Sequence, residues 1–292
     1  MIEEVYCFGL DEGLVGVLTE PAAAQRRRDA PVLIFLNSGV LHSAGPFGWY
    51  VTLARRFADQ GVASFRFDIS GVGDSPPRTD GQGSIESGVA DATSAMDLLG
   101  QVRGARKFVL LGLCSGAILA QRLAATEDRV SGAVLIDGWG YKTLGFHLRS
   151  YGRRILNGRT WVRTLGRLIP GRKPALVREG SSLEDRRLLI REYYFEFPDK
   201  ERGRAQLAAA RRRGARLLFV FTGDRRYFNH RRQFEEMVGR LAPGDAIEFD
   251  YLPEADHLLA CRESRQALFH RVENWFQRIG EPRGSECHSV ER

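Results

Sequence analysis

Gly112-Leu113-Cys114-Ser115-Gly116 sets a thiol between two glycines, where the run Lys107 to Leu111 gives way to a stretch of helical composition, Ala117 to Ala125. Strand, sharp glycine-flanked turn and helix together make a nucleophile elbow. The glycines let the turn pass close to its neighbours, and the strained turn exposes the central side chain for attack. The usual central residue is serine; here it is Cys114. A thiolate is the better nucleophile, and a helix N-terminus with a nearby imidazolium lowers a thiol's pKa. Ser115 is one residue out of phase, so its side chain is expected to point away from the cleft and its backbone N–H to serve an oxyanion. The competing reading of Cys114, a small buried hydrophobe at a strand end, is disfavoured by the turn glycines.

Such a thiol needs a base, an acid that orients the base, and oxyanion donors. His257, in Glu254-Ala255-Asp256-His257 and ahead of an amphipathic stretch, is the expected base. Asp224, after Gly223, is the expected acid. Asp137, in Leu135-Ile136-Asp137-Gly138-Trp139, is its competitor, and either Asp also reads as a turn residue capping a strand end. Asn37-Ser38-Gly39-Val40 is a short turn whose N–H groups would complete an oxyanion hole with that of Ser115. His42 either lines the cleft beside that turn or bonds its backbone, and the structural role is favoured. Asp68 is expected to organise the loop holding Gly71 and Gly73, where no phosphate-binding lysine follows.

The elements that must position these residues alternate. Glu4 to Gly9 and Leu14 to Thr19 read as a hairpin, and the continuous apolar run Pro31 to Leu36 reads as a buried strand. Further strands are predicted at Val62 to Phe67, Phe108 to Leu113, Val130 to Ile136, Arg216 to Phe221 and Ala246 to Tyr251. Helices are predicted at Phe47 to Gln60, Ile85 to Gln101, Ala117 to Ala125, Phe228 to Leu241 and Leu258 to Ile279. An antiparallel start followed by strand–helix repeats predicts a mostly parallel sheet covered on both faces, its site at the carboxyl ends of the strands.

The order Cys114, Asp224, His257, the segment Phe67-Asp68-x-x-Gly71-x-Gly73-x-Ser75 and the Asp256-His257 pair resemble the α/β-hydrolase superfamily over nearly the whole chain. Leu36-Asn37-Ser38-Gly39-Val40-Leu41-His42 with the Cys114 elbow is similar, more narrowly, to bacterial hydrolases encoded beside exosortase and polysaccharide or natural-product genes. The resemblance implies an eight-stranded, mostly parallel sheet flanked by helices, with a helical cap inserted after the sixth strand. Residues 1–140 and 215–280 would form the core, 141–214 an arginine-rich cap and 281–292 a disordered tail. It implies Cys114 as nucleophile, His257 as base and Asp224 as the orienting carboxylate, and hence an acyl-enzyme formed from an ester or thioester. Two departures stand out: cysteine replaces serine, and Asn37-Ser38-Gly39 replaces the usual His-Gly. A thioester intermediate passes its acyl group to other acceptors as readily as to water, so hydrolysis and acyl transfer both follow. Elimination on a natural-product intermediate and a non-catalytic binding role are the alternatives.

Between Lys142 and Arg216, 20 Lys and Arg face 7 Asp and Glu in a 292-residue chain whose net charge is only +7. That concentration suits an acidic substrate, such as a phosphopantetheine carrier, a coenzyme A thioester or a carboxylated metabolite carrying the acyl group, or a set of solvated helix faces. No nucleic-acid-binding module accompanies the charge, so a nucleic-acid partner is not expected. Cys7, Cys114, Cys261 and Cys287 have no paired spacing, so neither a metal site nor a disulfide framework is expected, and nothing calls for a cofactor. No apolar run reaches membrane-span length and Met1-Ile2-Glu3-Glu4 does not begin a signal peptide, so a cytoplasmic location is expected.

Overall fold

A computed structural model of the chain describes residues 1–27, 29–155, 197–242 and 244–279. The strands are β1 (Ile2–Phe8), β2 (Leu14–Glu20), β3 (Val32–Leu36), β4 (Ser64–Phe67), β5 (Phe108–Leu113), β6 (Val130–Ile136), β7 (Arg216–Thr222) and β8 (Ile247–Leu252). They form one sheet in the order β1-β2-β4-β3-β5-β6-β7-β8. The β1–β2 and β2–β4 pairs are antiparallel and the remaining pairs parallel. Seven helices are described: α1 (Trp49–Asp59), α2 (Ser84–Arg103), α3 (Ser115–Thr126), α4 (Leu144–Ile155), α5 (Lys200–Arg212), α6 (Gln233–Val238) and α7 (Arg262–Gln277).

The continuous apolar runs of the central strands are split by the pleat between two cores. Ile34, Leu110, Leu135 and Phe219 face one side, with Met96 and Leu99 of α2, Leu119 of α3 and Leu207 of α5. Phe35, Leu111, Val134 and Val220 face the other, with Leu53 and Phe57 of α1 and Val272 and Trp275 of α7. Both helices of the second layer are joined by Arg56, which donates to both carboxylate oxygens of the nearly buried Glu273 at 2.7 Å.

The register decides where the chemistry emerges. Leu36 pairs with Gly112, Leu113 with Ile136 and Ile136 with Val220. The carboxyl ends of β3, β5, β6 and β7 are therefore nearly level, and Asn37, Cys114 and Asp137 leave the sheet side by side.

Two helices are shorter than predicted, for local reasons. α6 begins at Gln233 rather than Phe228, because His230 Nδ1 accepts from the Arg232 N–H in a preceding turn, and it ends before Gly239 at φ 93°. α7 begins at Arg262 rather than Leu258. The Asp256 carboxylate holds the N–H groups of Leu258 and Ala260, and Leu259 takes a φ of 57°. His257 consequently sits on a loop, not on a helix.

The expected cap is also redrawn at its far end. α5 buries Leu207 and Ala210 in the first core, and a Cβ on Gly203 would lie 2.1 Å from the Trp139 ring. Lys200–Arg212 thus belongs to the layer covering the sheet. Residues 156–196 of the expected cap and the expected tail, 281–292, lie outside the described residues.

Candidate active site

Cys114 stands between β5 and α3 with φ 57° and ψ −114°, a strained conformation for a residue with a Cβ. Its N–H donates to Ile136 O at 2.9 Å, which anchors the turn to β6. The flanking glycines are required by proximity. A Cβ on Gly112 would lie 2.1 Å from the Gly116 carbonyl carbon, and one on Gly116 would lie 2.6 Å from Asn37 O. Cys114 is partly buried and sits at the N-terminus of α3, where the helix dipole favours a thiolate.

His257 lies beside Cys114, close enough to perturb its thiol, and places Nδ1 2.7 Å from Asp137 Oδ2. The carboxylate on the histidine is therefore that of Asp137, not Asp224 as expected from the sequence. Asp137 directly follows β6, the strand between β5 and β7, and its φ of 48° turns the side chain back over the sheet end. It is completely buried, and Oδ1 accepts the Thr222 N–H at 2.8 Å while Oδ2 accepts the Thr222 hydroxyl at 2.6 Å. Asp224 lies two residues beyond β7, exposed, with its Oδ1 3.1 Å from the Thr222 hydroxyl. The sequence signal available for Asp137 is its place at the end of the mostly apolar β6, which suggests burial but does not by itself exclude Asp224; a carboxylate buried there needs dedicated partners.

The loops after β7 and β8 pack tightly enough to deliver His257. Gly223 N–H donates to Ala255 O at 3.0 Å, and a Cβ on Gly223 would lie 1.8 Å from Pro253 O.

On the opposite side of Cys114 the Asn37–Val40 turn is held by side chains. Asn37 Nδ2 donates to Leu41 O at 2.9 Å and to Asp68 Oδ1 at 2.8 Å, and its Oδ1 accepts the Ile69 N–H at 2.9 Å. Asp68 also accepts the Ser43 N–H at 2.7 Å, and Gly73 passes so close that a Cβ would lie 2.3 Å from Asp68 Oδ2. Asp68 thus organises both loops, as its sequence context suggested. His42 is bonded to the neighbouring loops: its Nδ1 accepts the Ala44 N–H, and its Nε2 lies 3.2 Å from Asp74 and 3.3 Å from Asp68. Ser38 is buried, its carbonyl accepting the Leu41 N–H at 3.1 Å, while Val40 is exposed at the tip of the turn.

Ser115 differs from its expectation. The backbone N–H does face the Cys114 sulfur, but the hydroxyl reaches across to the turn and accepts the Gly39 N–H at 2.7 Å. The glycine N–H expected to meet an oxyanion is thus bonded within the protein, and an incoming oxyanion must replace that hydroxyl.

The electrostatics make a coupled pair. Burial pushes the Cys114 thiol up, but the hydrogen bond and charge of His257, the charge of Arg225 and the Ser115 N–H bring it below its ordinary value. Burial disfavours the His257 imidazolium, yet hydrogen bonds to Asp137 and Cys114 outweigh it and raise His257 to about 9. His257 therefore keeps its proton at neutral pH, and beside it the Cys114 thiol ionises more readily than an ordinary thiol. The rate of Cys114 alkylation by iodoacetamide should accordingly rise at a pH below the ordinary thiol value of 9.0. With an alkyl ester, turnover should fall as pH rises through about 9, because the proton destined for the leaving alkoxide is lost. An alkylation rate that climbs only near 9.0 would contradict the lowered thiol.

Residues 33–271 match the family model described as "Alpha/beta hydrolase family", and the chain belongs to that family. No curated protein sequence matches it. Among solved structures, the α/β hydrolase GrgF from Penicillium sp. sh18 is similar at a TM-score of 0.62 and 16% identity, over 96% of this chain and 99% of that one. The Pyrococcus furiosus esterase PF2001 is similar at 0.60 and 12% identity, covering 95% and 91%. XC6422 from Xanthomonas campestris, described as an a/b serine hydrolase without lid, follows at 0.54 and 13% identity, covering 94% of each chain. At such identities the likeness shows the fold. No described helix is long and apolar enough to cross a membrane.

Proposed function

We propose that Cys114, His257 and Asp137 act as a catalytic triad that forms a covalent acyl-enzyme on an ester or thioester, for hydrolysis or acyl transfer. The observation that carries this reading is the placement of His257 between Cys114, with which it interacts, and the buried Asp137 carboxylate, 2.7 Å from Nδ1. The thiolate attacks the acyl carbon and the carbonyl electron pair moves onto oxygen, held by the N–H groups of Ser115 and Gly39. The tetrahedral intermediate then breaks its bond to the leaving group, which takes the proton of the His257 imidazolium. Water, an amine or an alcohol next gives its proton to the neutral His257 and attacks the thioester, releasing the acyl product and restoring the thiolate. Asp137 keeps Nδ1 protonated and the ring oriented throughout.

A thioester intermediate supports transfer as well as hydrolysis. The surplus of basic residues between 142 and 216 supports an acidic acyl donor, such as a carrier-linked or coenzyme A-linked acyl group. The Cys-centred elbow is also the feature shared with the exosortase-associated and natural-product-associated hydrolases, so a biosynthetic role is part of this proposal.

Intact-mass analysis after treatment with short p-nitrophenyl esters tests it. The expected result is one acyl adduct, mapping to Cys114, forming far more slowly in His257→Ala. Turnover that survives Cys114→Ala would mean hydrolysis without the covalent intermediate, and a folded protein that neither turns over the ester nor is labelled would favour elimination or a binding role.

A further inference from the structure

Most described arginines of the basic region are tied to the core. Arg149 pairs with Glu236, Arg211 with Asp245 and Arg213 with Asp128, while Arg204 donates to Met237 O. Arg225, in the loop after β7, is different. Among the described residues it makes no ion pair, and its Nε is buried without a hydrogen-bond partner. The guanidinium lies over the Tyr227 ring, 5.0 Å from its centroid. Tyr227 is itself fixed to the acid-bearing turn, its hydroxyl donating to Asp137 O at 3.0 Å and Gly138 O at 2.9 Å. The cation is thus held on a rigid aromatic platform next to the Cys114–His257–Asp137 chain, close enough for its charge to act on all three.

A half-buried guanidinium with no direct ion pair among the described residues is an incomplete arrangement. A guanidinium over an aromatic face can still offer two parallel N–H groups of its fork, spaced for a carboxylate. One guanidinium matches one negative charge; a phosphate dianion would call for a second cation, and the adjacent Arg226 is exposed. We propose that Arg225 is a substrate-binding residue that pairs with a carboxylate carried on the substrate a few bonds from the reacting carbonyl, so that the site selects carboxylated esters or thioesters over neutral ones. This inference rests on Cys114 as the acylated residue.

The test uses matched pairs of thioesters on the whole chain. One pair carries the charge on the acyl side: the succinyl thioester of N-acetylcysteamine and its methyl-capped form. The other carries it on the leaving group: acetyl 3-mercaptopropionate and its methyl ester. The native protein is expected to prefer the carboxylate in one pair by about tenfold or more in kcat/KM, which also tells on which side the charge is carried. Arg225→Gln should bring that ratio to about one, and Arg225→Lys, which keeps the charge but not the fork, should restore part of it. The ratio is insensitive to thiol pKa, which moves both members of a pair alike. Equal rates within both pairs, or a preference that survives Arg225→Gln, would overturn the inference while leaving the triad intact. Loss of both rates in equal proportion would overturn it too, assigning Arg225 to the thiolate alone. Failure of every donor to acylate Cys114 would overturn the nucleophile reading and this inference with it.

Discussion

Cys114→Ala is expected to lower ester or thioester turnover by a factor of about 10⁴ or more while leaving the fold intact, because it removes the attacking atom and nothing from the core of the sheet. The more telling variant is Cys114→Ser. In a serine hydrolase the histidine is neutral at rest and takes the hydroxyl proton during attack. Here His257 is raised to about 9, in part by Cys114 beside it, while the thiol is lowered; a hydroxyl is too weak an acid to share a proton with the imidazole in this way. Under the proposed mechanism serine is therefore expected to leave activity at least about 100-fold below that of the native protein. The accompanying change is a fall in the His257 pKa, readable by NMR. Serine activity near the native level would show that the reaction does not use the lowered thiol.

The second large effect separates the two carboxylates. Asp137→Asn is expected to lower kcat/KM by about 10³ to 10⁴, the scale on which losing the orienting charge acts in such triads. An amide can offer its N–H₂ to Nδ1 and so favour the tautomer that has no proton there. The His257 pKa should drop from about 9 toward its ordinary 6.5. Asp224→Asn, on an exposed side chain beyond the strand end, should change kcat/KM less than about twofold. Comparable losses in both variants would show that Asp224 takes over His257 during turnover and would overturn the assignment of Asp137. Thermal denaturation of both proteins keeps this interpretable, since Asp137 also accepts two hydrogen bonds from Thr222.

Much of this protein is legible in its sequence because the determinants are local. The apolar runs at 32–36, 108–113, 130–136 and 216–222 can only be buried strands. Gly112 and Gly116 mark a turn in which a Cβ cannot be accommodated, and a Cys at its centre carries the same meaning whatever surrounds it. His257 is marked by its place after the last strand. Asp68, with Gly71 and Gly73 close by, announces a loop organised around its carboxylate.

The features that escaped are those set by distance through space. Asp137 and Asp224 both follow strands and both precede or follow glycine, so spacing alone does not choose between them. The choice falls to the order of strands in the sheet, which puts β6 between β5 and β7, and to the burial that leaves Asp137 no water to solvate it. The Ser115 hydroxyl bonds Gly39, 76 positions away in the chain, and Arg225 acquires its meaning only from the ring beneath it and the acids that other arginines have already taken. The sequence by itself determined the class of fold and the elbow with a cysteine at its centre, since these depend on backbone sterics and residue type over a few positions. Only the tertiary structure decided which carboxylate faces the histidine, which N–H is already engaged and that Arg225, half-buried beside the site, has no ion pair among the described residues, because each of these is a competition between groups that the folded chain alone brings together.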